Sequence, residues 1–481
     1  MLNVRFKDLN FGFASADFEA AQQPDLLVRG FVDPHKLVNE AWIGRRWLFL
    51  GYKGCGKSAL GEHLRLVAEN EPEMFVRVMN IGDVSFSTFS QILKGRFEPE
   101  SRYPTVWSWL LLIYLFSSFN TDEGSQSASD EKFFLAIEAL KELGLLPHTT
   151  LSEAVIRTSD SGFSVKLTTV IGGFEAAWKK SEKDADLPFF VEHLRVLAKS
   201  FRSPNKHILV IDGFDDLLRR GTLQYDALSA LIYEVNRLNI DFTTSGVPAK
   251  IVVLCRTDLF ERLPGANKNK IRQNAAVHID WDYDRMSPQT SPLVTLINRR
   301  ASLSGVEIDV FKEFLPESLS ARPNDIRAQL LGYTRSVPRD VVMLFKNLQE
   351  HSGDGRMTVH QVGNALSAYS RDYLLPEIKD ELDGYIDGED IKNIFQIFGA
   401  LRQISPSREE LIHQARTYNA RKEFDVDKIL AALYECSAIG NLRDRRSNYM
   451  TFKYRDRHTS FNPDELIIIH EGLWRGLNLR W

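Results

Sequence analysis

Short apolar runs separated by polar or glycine-containing segments mark the first 280 residues. The runs are Trp47 to Leu50, Phe75 to Met79, Ile208 to Ile211, Ile251 to Leu254 and the shorter Val277 to Ile279. Continuous runs of large and β-branched apolar residues are typical of parallel strands that are buried on both faces. After the first run, Leu60, Leu64 and Val67 recur at the spacing of a helix with one face on a core. The pattern predicts an α/β fold built on a parallel sheet.

From Ser291 onward the apolar positions take helical spacing, and the tail beyond about residue 384 ends in a different pattern. Ser407 and Glu410 form a capping-box pattern, so a helix should begin there. The elements predicted in this part are helices after Pro338, at Ile391 to Phe398, after Ser407 and at Val426 to Leu433, and strands at Ile439 to Leu442 and Tyr449 to Tyr454. Three helices followed by a hairpin are the arrangement of a winged helix.

Composition places the chain among soluble globular proteins, because 43% of its residues are apolar and 26% are charged. The stretch Val106 to Phe119 is strongly apolar, but it is shorter than the roughly 20 residues that cross a bilayer. We therefore predict a core helix there and no membrane association. The net charge of -4 argues against a protein that coats nucleic acid along its whole surface, although it permits a local basic patch.

The cysteines and the N-terminus indicate the cytoplasm. Cys55, Cys255 and Cys436 lie far apart and form no C-x-x-C pair, so the sequence indicates neither a disulfide framework nor a zinc site. The first residues lack the basic start and the apolar run of a signal peptide. A reducing, cytoplasmic location is therefore predicted.

A glycine-rich loop follows the first apolar run. Residues 51–58, Gly-Tyr-Lys-Gly-Cys-Gly-Lys-Ser, match G-x-x-x-x-G-K-[ST] in full. In such a loop the backbone N–H groups point at phosphates, and the N-terminus of the next helix adds positive potential. We predict that Lys57 reaches the β- and γ-phosphates and that the Ser58 hydroxyl binds Mg²⁺. The other predicted nucleotide-binding residues are Gly51, Gly54, Cys55, Gly56 and Ala59. The sequence thus predicts a P-loop that binds ATP or GTP; the alternative is a structural glycine turn.

Carboxylates follow the third apolar run. Asp212 ends that run and is predicted to hold the magnesium shell, because Mg²⁺ takes its remaining ligands from carboxylate and water. Asp215 and Asp216 come three and four residues later, and we predict that one of them orients or deprotonates the attacking water. The alternative is a strand-end turn in which Asp212 and Gly213 only make the bend.

The P-loop and the segment Asp212-Gly213-Phe214-Asp215-Asp216 together resemble the STAND and NACHT-like branch of the AAA+-related P-loop ATPases. The acidic motif of that branch is hydrophobic-D-G-hydrophobic-D-[DE], and the similarity covers roughly residues 30 to 350. The resemblance implies an Mg-dependent ATPase. It also implies a sensor at the end of the next strand, where Arg256 stands, with a surface arginine as the alternative.

The resemblance is also the only basis for predicting roles for further arginines. A sensor at the start of a lid helix is implied, with Arg339 as the better candidate and Arg335 as the second; a salt-bridged helix start is the alternative. If neighbouring subunits complete each other's sites, Arg272, or next Arg262, would be the arginine finger, which would make homo-oligomer assembly a switch.

The predicted domains are a P-loop ATPase domain at 1–285, a helical lid at 286–383 and a winged helix at 384–481. Lys57 and Asp212 are separated by 155 residues (212 minus 57), which is far more than a minimal core needs. We therefore predict a helical insertion at about 83–200 within the first domain. Recognition of a trigger or partner could lie in that insertion.

The segment from Asn441 to His458 is basic. It carries six cations against Asp444 and Asp456. The cations are Arg443, Arg445, Arg446, Lys453, Arg455 and Arg457. With interleaved aromatic residues, such a wing suits contact with a DNA backbone, whereas a solvated face or a protein-docking module is the alternative. The stretch Phe452 to Leu479 resembles the tail of prokaryotic P-loop ATPases related to the STAND and replication-initiator types, some of them associated with defence against phage.

The leading prediction is a switch or assembly ATPase of a prokaryotic defence system that acts with a separate effector protein. The alternative is a nucleotide-controlled DNA-binding protein of the initiator or loader type. A nucleoside or small-molecule kinase is disfavoured by the chain length and by the D-G-F-D-D element.

Overall fold

The computed structural model describes residues 4–92, 99–146, 149–160, 163, 166–167, 169–170, 187–214, 222–281, 287–305, 307–319, 325–383, 385–417, 424–444 and 450–480. Its internal contacts divide the chain into two compact units. The sheet unit comprises His35–Gly51 and Lys57–His278. The C-terminal unit comprises Met1–Pro34, Tyr52–Gly56 and Ile279–Trp481.

Helices make up most of the described chain. In chain order they are α1 (Ala16–Gln22), α2 (Pro24–Arg29), α3 (Leu37–Trp42), α4 (Lys57–Ala68), α5 (Phe86–Phe89), α6 (Pro99–Asn120), α7 (Glu131–Glu142), α8 (Leu151–Ser159), α9 (Leu187–Ser200), α10 (Thr222–Ser245), α11 (Thr257–Arg262), α12 (Lys268–Ala275), α13 (Pro292–Ser302), α14 (Val310–Phe314), α15 (Ile326–Gly332), α16 (Pro338–Glu350), α17 (Val359–Ala368), α18 (Leu375–Leu382), α19 (Gly388–Leu401), α20 (Arg408–Thr417), α21 (Val426–Glu435) and α22 (Glu471–Trp474). A π-helical turn, Tyr369–Leu374, joins α17 to α18.

The strands form two separate sheets. They are β1 (Leu48–Gly51), β2 (Met74–Asn80), β3 (Lys206–Asp212), β4 (Ala249–Arg256), β5 (Ala276–His278), β6 (Ile439–Leu442), β7 (Met450–Thr451) and β8 (Leu466–Ile469). The first five form one parallel sheet in the order β2-β3-β4-β1-β5, and the last three form an antiparallel sheet in the order β7-β6-β8.

The parallel sheet confirms the predicted α/β fold class. Each of its strands begins and ends within two residues of the predicted run. Leu48, Phe49 and Leu50 have no exposed surface, and the central residues of β3 and β4 are likewise buried. Consecutive buried residues point to opposite faces of a sheet, so both faces are covered at the three central strands. Most residues of the edge strand β2 are only half-buried.

The apolar stretch Val106 to Phe119 lies in α6, which has 22 residues, and its side chains are mostly buried in the sheet unit. Its two tryptophans are also hydrogen-bonded. Trp107 Nε1 donates to the carbonyl oxygen of Ala227 (2.7 Å), and Trp109 Nε1 donates to Thr158 Oγ1 (2.9 Å). The predicted core helix is therefore confirmed. Among the described residues, no helix combines the length and the apolar character that crossing a bilayer requires.

The C-terminal part of the chain has the predicted order of elements, with α19, α20 and α21 followed by a small antiparallel sheet. The capping box at the start of α20 is present, because the side chains of Ser407 and Glu410 each accept from the other's backbone N–H. The predicted hairpin was incomplete. A third strand, β8, pairs with β6 along four residues from Ile439 opposite Ile469 to Leu442 opposite Leu466.

Candidate functional site

The P-loop joins β1 to α4. Gly54 and Gly56 have φ angles of 81° and 97°, a left-handed conformation that favours glycine. A Cβ atom at Gly56 would meet nothing within 4 Å, so the backbone there is open to the approach of a ligand. Lys57 is the first residue of α4 and is 6% exposed, and its Nζ donates to the carbonyl oxygen of Gly51 (3.2 Å). The two glycines thus have backbone conformations that other residues rarely adopt, and the Lys57 side chain folds back onto the first residue of the loop.

Asp212 is the last residue of β3, and its Oδ1 accepts from the backbone N–H of Gly213 (2.8 Å). In the sheet, β4 lies between β1 and β3, and all three strands are parallel. Their carboxyl ends therefore share one edge, about 10 Å apart for strands that are two spacings removed. The sheet unit thus brings Ser58 and Asp212 to the edge where ligands of open α/β sheets bind.

Asn80 lies beside Asp212 and was not singled out from the sequence. It ends β2, is paired in register with Asp212, and its Oδ1 accepts from the N–H of Gly82 (2.9 Å). Gly213 has a φ of 85°, and a side chain there would collide with the Asn80 amide. Only the pairing of β2 with β3 reveals this neighbour, because 132 residues (212 minus 80) separate the two positions. The predicted water-positioning residues Asp215 and Asp216 lie outside the described residues.

Arg256 ends β4 and is paired in register with Gly51, the first residue of the P-loop. Its side chain is 5% exposed and forms a bidentate ion pair with Asp258, at 2.9 and 2.7 Å. The structure therefore places Arg256 on the strand next to the first residue of the loop. Asp258 holds the guanidinium in a fixed orientation, because a bidentate pair restricts both side chains.

In the C-terminal unit, the loop residues Tyr52–Gly56 are held by two contacts. Trp281 Nε1 donates to the carbonyl oxygen of Cys55 (2.8 Å), and the backbone N–H of Arg339 donates to the carbonyl oxygen of Gly54 (3.3 Å). A Cβ atom at Gly54 would lie 3.2 Å from the Cβ of Arg339. The first turn of α16 therefore contacts the loop, and it does so through Arg339, one of the two lid-arginine candidates.

An acidic side chain on α18 binds two cations at this place. Glu377 Oε1 lies 3.1 Å from Lys53 Nζ and 3.1 Å from Arg339 Nη1. Burial acts to raise the pKa of Glu377, but the charges of Lys53 and Arg339 outweigh it and hold that pKa below its ordinary value. Sequence inspection did not single out Lys53 or Glu377, because the first occupies a variable position of the motif and the second is distant in sequence.

Arg335, the second lid candidate, is buried in an ion-pair network of its own. Its guanidinium binds both carboxylate oxygens of Asp340, each at 2.9 Å, and Glu381 Oε2 at 2.7 Å. Tyr373 donates its hydroxyl to Asp340 (2.9 Å). Burial acts to raise the pKa of Asp340, yet Arg335 and the hydrogen bonds hold it below its ordinary value. These contacts are those of a core ion pair that joins α16 to α18.

Arg272, the candidate arginine finger, lies in α12 with a partly exposed side chain. It donates to Glu261 Oε1 (2.7 Å) and to Asn269 Oδ1 (2.8 Å). Arg262, the second choice, ends α11 and is exposed. Both arginines belong to the sheet unit, on the two helices between β4 and β5.

The residues present fit an ATP and Mg²⁺ site. The buried Lys57 ammonium and the open backbone at Gly56 suit an anionic phosphate. Among the described residues, no group of three or more His, Cys, Asp and Glu side chains could hold a metal ion by itself. A magnesium ion at a P-loop takes most of its ligands from phosphate and water, so Ser58 and Asp212 would suffice as its protein ligands.

A second constellation, Ser118, His207 and Asp122, has the order of a hydrolytic triad. Ser118 Oγ lies 2.8 Å from His207 Nδ1, and His207 Nε2 lies 3.0 Å from Asp122 Oδ2. All three residues are 3% exposed or less. Burial lowers the pKa of His207, although Asp122 acts in the opposite direction. Since the hydroxyl is closed to solvent, the group ties the end of α6 to the start of β3 and is not a catalytic site.

Three of the six cations predicted on the basic wing are engaged within the C-terminal unit. Lys453 Nζ donates to the carbonyl oxygen of Thr459 (2.8 Å) and pairs with Glu435 (3.2 Å). The Arg455 guanidinium lies over the rings of Phe452 and Tyr454, and Arg457 pairs with Asp280 (2.7 Å). Arg443 is exposed, whereas Arg445 and Arg446 lie outside the described residues.

No protein-family model matches the sequence, and no curated protein matches it significantly. Among solved structures, the chain is similar to Cdc6p from Pyrobaculum aerophilum, with 12% sequence identity, 95% of this chain and 99% of that chain covered, and a TM-score of 0.33. That TM-score is too low to carry a conclusion about fold or function. The assignment of the fold therefore rests on the five-stranded parallel sheet and on the P-loop between β1 and α4.

Proposed function

We propose that this protein is an Mg-dependent ATPase that binds ATP through Gly51 to Ser58. The observation that supports this most directly is the P-loop itself, which leads from the buried strand β1 into α4 with left-handed glycines and a buried Lys57. Bound Mg²⁺ would neutralise phosphate charge, with Ser58 and Asp212 as its protein ligands. Backbone N–H groups and Lys57 would bind the phosphates, with Gly51, Cys55 and Ala59 completing the loop.

The further roles belong to the same proposal. Asp215 or Asp216 would orient the attacking water, and Arg256 would act as the sensor beside the loop. Arg339 would be the lid arginine, because its α16 already contacts Gly54. Arg272 would act on a neighbouring subunit of a homo-oligomer. Its partly exposed side chain leaves it accessible for that role.

Hydrolysis would drive a conformational or assembly switch in the cytoplasm, in a prokaryotic defence system with a separate effector protein. The test is ATP turnover and size distribution of the wild type, Lys57→Ala and Asp216→Ala, each with and without DNA. We expect turnover to fall at least about a hundredfold in both variants, because each removes a group that would act directly on the transition state, and the loss of one such group costs about a hundredfold or more. Lys141→Ala, a surface lysine paired with Glu138, is the control and should turn over ATP normally. Equal turnover in all four proteins would refute the proposal.

The alternative, a nucleotide-controlled DNA-binding protein of the initiator or loader type, would use the C-terminal cations. Arg443, Arg445 and Arg446 are the candidates from the sequence, and Arg443 is exposed. Lys453, Arg455 and Arg457 have intramolecular partners. DNA affinity that falls steeply with salt and is lost on neutralising the three candidates would favour this alternative. Trigger-dependent oligomerisation without DNA would favour the switch.

A further inference from the structure

We propose that Glu377 is an internal counter-ion of the P-loop, which competes with nucleotide phosphate for the two cations Lys53 and Arg339. The inference rests on the proposed ATP site and assigns it a residue that tunes its affinity. Glu377 is a positioning residue, because it would act on phosphate through the two cations.

The geometry is that of one carboxylate oxygen shared by two cations. Glu377 Oε1 lies 3.1 Å from both Lys53 Nζ and Arg339 Nη1. The side chains of Lys53, Glu377 and Arg339 are 17%, 15% and 29% exposed. Partial burial strengthens an ion pair relative to one in open solvent, because screening by water is reduced.

Both cations belong to the P-loop or contact it. Lys53 is a loop residue, and the backbone N–H of Arg339 donates to the carbonyl oxygen of Gly54. An anion that binds along the loop would therefore find them at the loop edge. Ammonium and guanidinium groups bind phosphate and carboxylate through the same charge-assisted hydrogen bonds.

Glu377 is ionised at neutral pH, since the two cations hold its pKa below the ordinary value for glutamate despite burial. A phosphate that approaches these cations must displace the carboxylate or bind beside a like charge. In either case the carboxylate weakens anion binding. Displacement would leave α18 attached to α16, because Glu381, one turn further along, pairs with the buried Arg335.

The test is a fluorescence titration of the full chain with an N-methylanthraniloyl derivative of ATP. Glu377→Gln keeps the size of the side chain and removes its charge, and we expect it to bind the nucleotide about five- to tenfold more tightly. The matched control is Asp380→Asn, which removes one exposed negative charge from the same helix and should change the affinity less than about twofold. In a Lys53→Met background the tightening by Glu377→Gln should shrink, because one of the released cations is missing.

The inference would be overturned if Glu377→Gln had the melting temperature of the wild type and bound the nucleotide equally or more weakly. It would also be overturned if Asp380→Asn tightened nucleotide binding as much as Glu377→Gln. Should Glu377→Gln fail to fold, Glu377→Asp keeps the charge but shortens its reach, and it should bind about two- to threefold more tightly; no tightening there would also refute the inference. Wild-type binding that is absent, or that survives Lys57→Ala, would instead remove the proposed function, so the two failures are distinguishable.

Discussion

The two sheets of this protein use polar residues differently. In the parallel sheet, Asp212 and Arg256 stand at strand ends, where the topology gathers them at the edge that carries the P-loop. Beside the antiparallel sheet, the cations near β7 are bound by other residues of the same unit. The Arg455 guanidinium lies over the rings of Phe452 and Tyr454, and Lys453 pairs with Glu435. Parallel strands place all their carboxyl ends on one side, whereas antiparallel strands alternate. A parallel sheet therefore brings the polar residues that follow its strands together at one edge, whereas an antiparallel sheet distributes them over both edges.

The largest difference we expect concerns the interiors of the two sheets. Leu209→Ala in β3 should lower the free energy of unfolding by about 3 kcal/mol, and Leu442→Ala in β6 by about 2 kcal/mol. Leu209 is 1% exposed in a sheet covered on both faces, whereas Leu442 is 7% exposed and packs in a small cluster with Phe452 and Ile468. Urea unfolding followed by circular dichroism measures both values. If Leu442→Ala lowered the free energy of unfolding more than Leu209→Ala, the expected order of the two sheets would be wrong.

Acid should weaken the C-terminal sheet through His470. Burial, with the charge of Arg455 as a further cause, lowers the pKa of His470 from 6.5 to about 3. In the unfolded chain this histidine takes up a proton below about pH 6.5, whereas in the folded protein it stays neutral down to about pH 3. The unfolded state therefore binds more protons, and stability falls as the pH drops through this window, by about 2 kcal/mol at pH 5.

Urea unfolding at pH 7.5, 6 and 5 tests this dependence. His470→Gln should reduce the loss of stability between pH 7.5 and 5, while His458→Gln, which replaces an exposed histidine of the same unit, should leave it in place. His207, the buried histidine of the parallel sheet, differs from His470 because its Nε2 lies 3.0 Å from a carboxylate oxygen of Asp122. An unaltered pH profile in His470→Gln would contradict the assignment.

Substitutions at Gly54 and Gly246 distinguish the effect of backbone strain on stability from the effect of the P-loop on ATP binding. Both have positive φ angles, 81° and 66°, so an alanine at either position should cost about 1 kcal/mol of stability. At Gly54 the new Cβ would also lie 3.2 Å from Arg339, whereas at Gly246 it would meet nothing within 4 Å. We therefore expect Gly54→Ala to weaken ATP binding at least about tenfold and Gly246→Ala to leave it unchanged. Thermal melts measure the loss of stability, and nucleotide titrations measure the affinity for ATP. Equal ATP affinities of Gly54→Ala and Gly246→Ala would argue against ATP binding by the loop.

The smallest effect should come from Arg457, a cation of the predicted basic wing. Its pair with Asp280 has side chains that are 33% and 44% exposed, so Arg457→Ala should change the free energy of unfolding by less than about 1 kcal/mol. If the wing binds DNA through Arg443, Arg445 and Arg446, Arg457→Ala should also reduce DNA affinity less than neutralising those three. A filter-binding series over salt concentration measures this, and an equal loss would place Arg457 at the interface.

Local sequence determined the elements that depend on local rules. The three central strands of the parallel sheet, β1, β3 and β4, were recognisable because a strand buried on both faces has a continuous apolar sequence. The run of the edge strand β2 was recognised by the same pattern, although most of its residues are only half-buried. The P-loop was recognisable because its chemistry requires fixed residue types at fixed spacing. Strand β8 was missed, although Leu466 to Ile469 is apolar, because its pairing partner β6 lies 24 residues earlier (466 minus 442) and the sequence shows no turn that joins them.

Tertiary structure alone decided which side chains meet. The pairing of Asn80 with Asp212, the hydrogen bond from Trp281 to Cys55 and the binding of Lys53 by Glu377 each join positions more than 100 residues apart. It also decided that Arg335 is buried against Asp340 while Arg339 contacts the loop. The physical reason is that residue type and spacing specify a local conformation and a candidate chemistry, whereas the partner of a charge is set by the packing of distant elements.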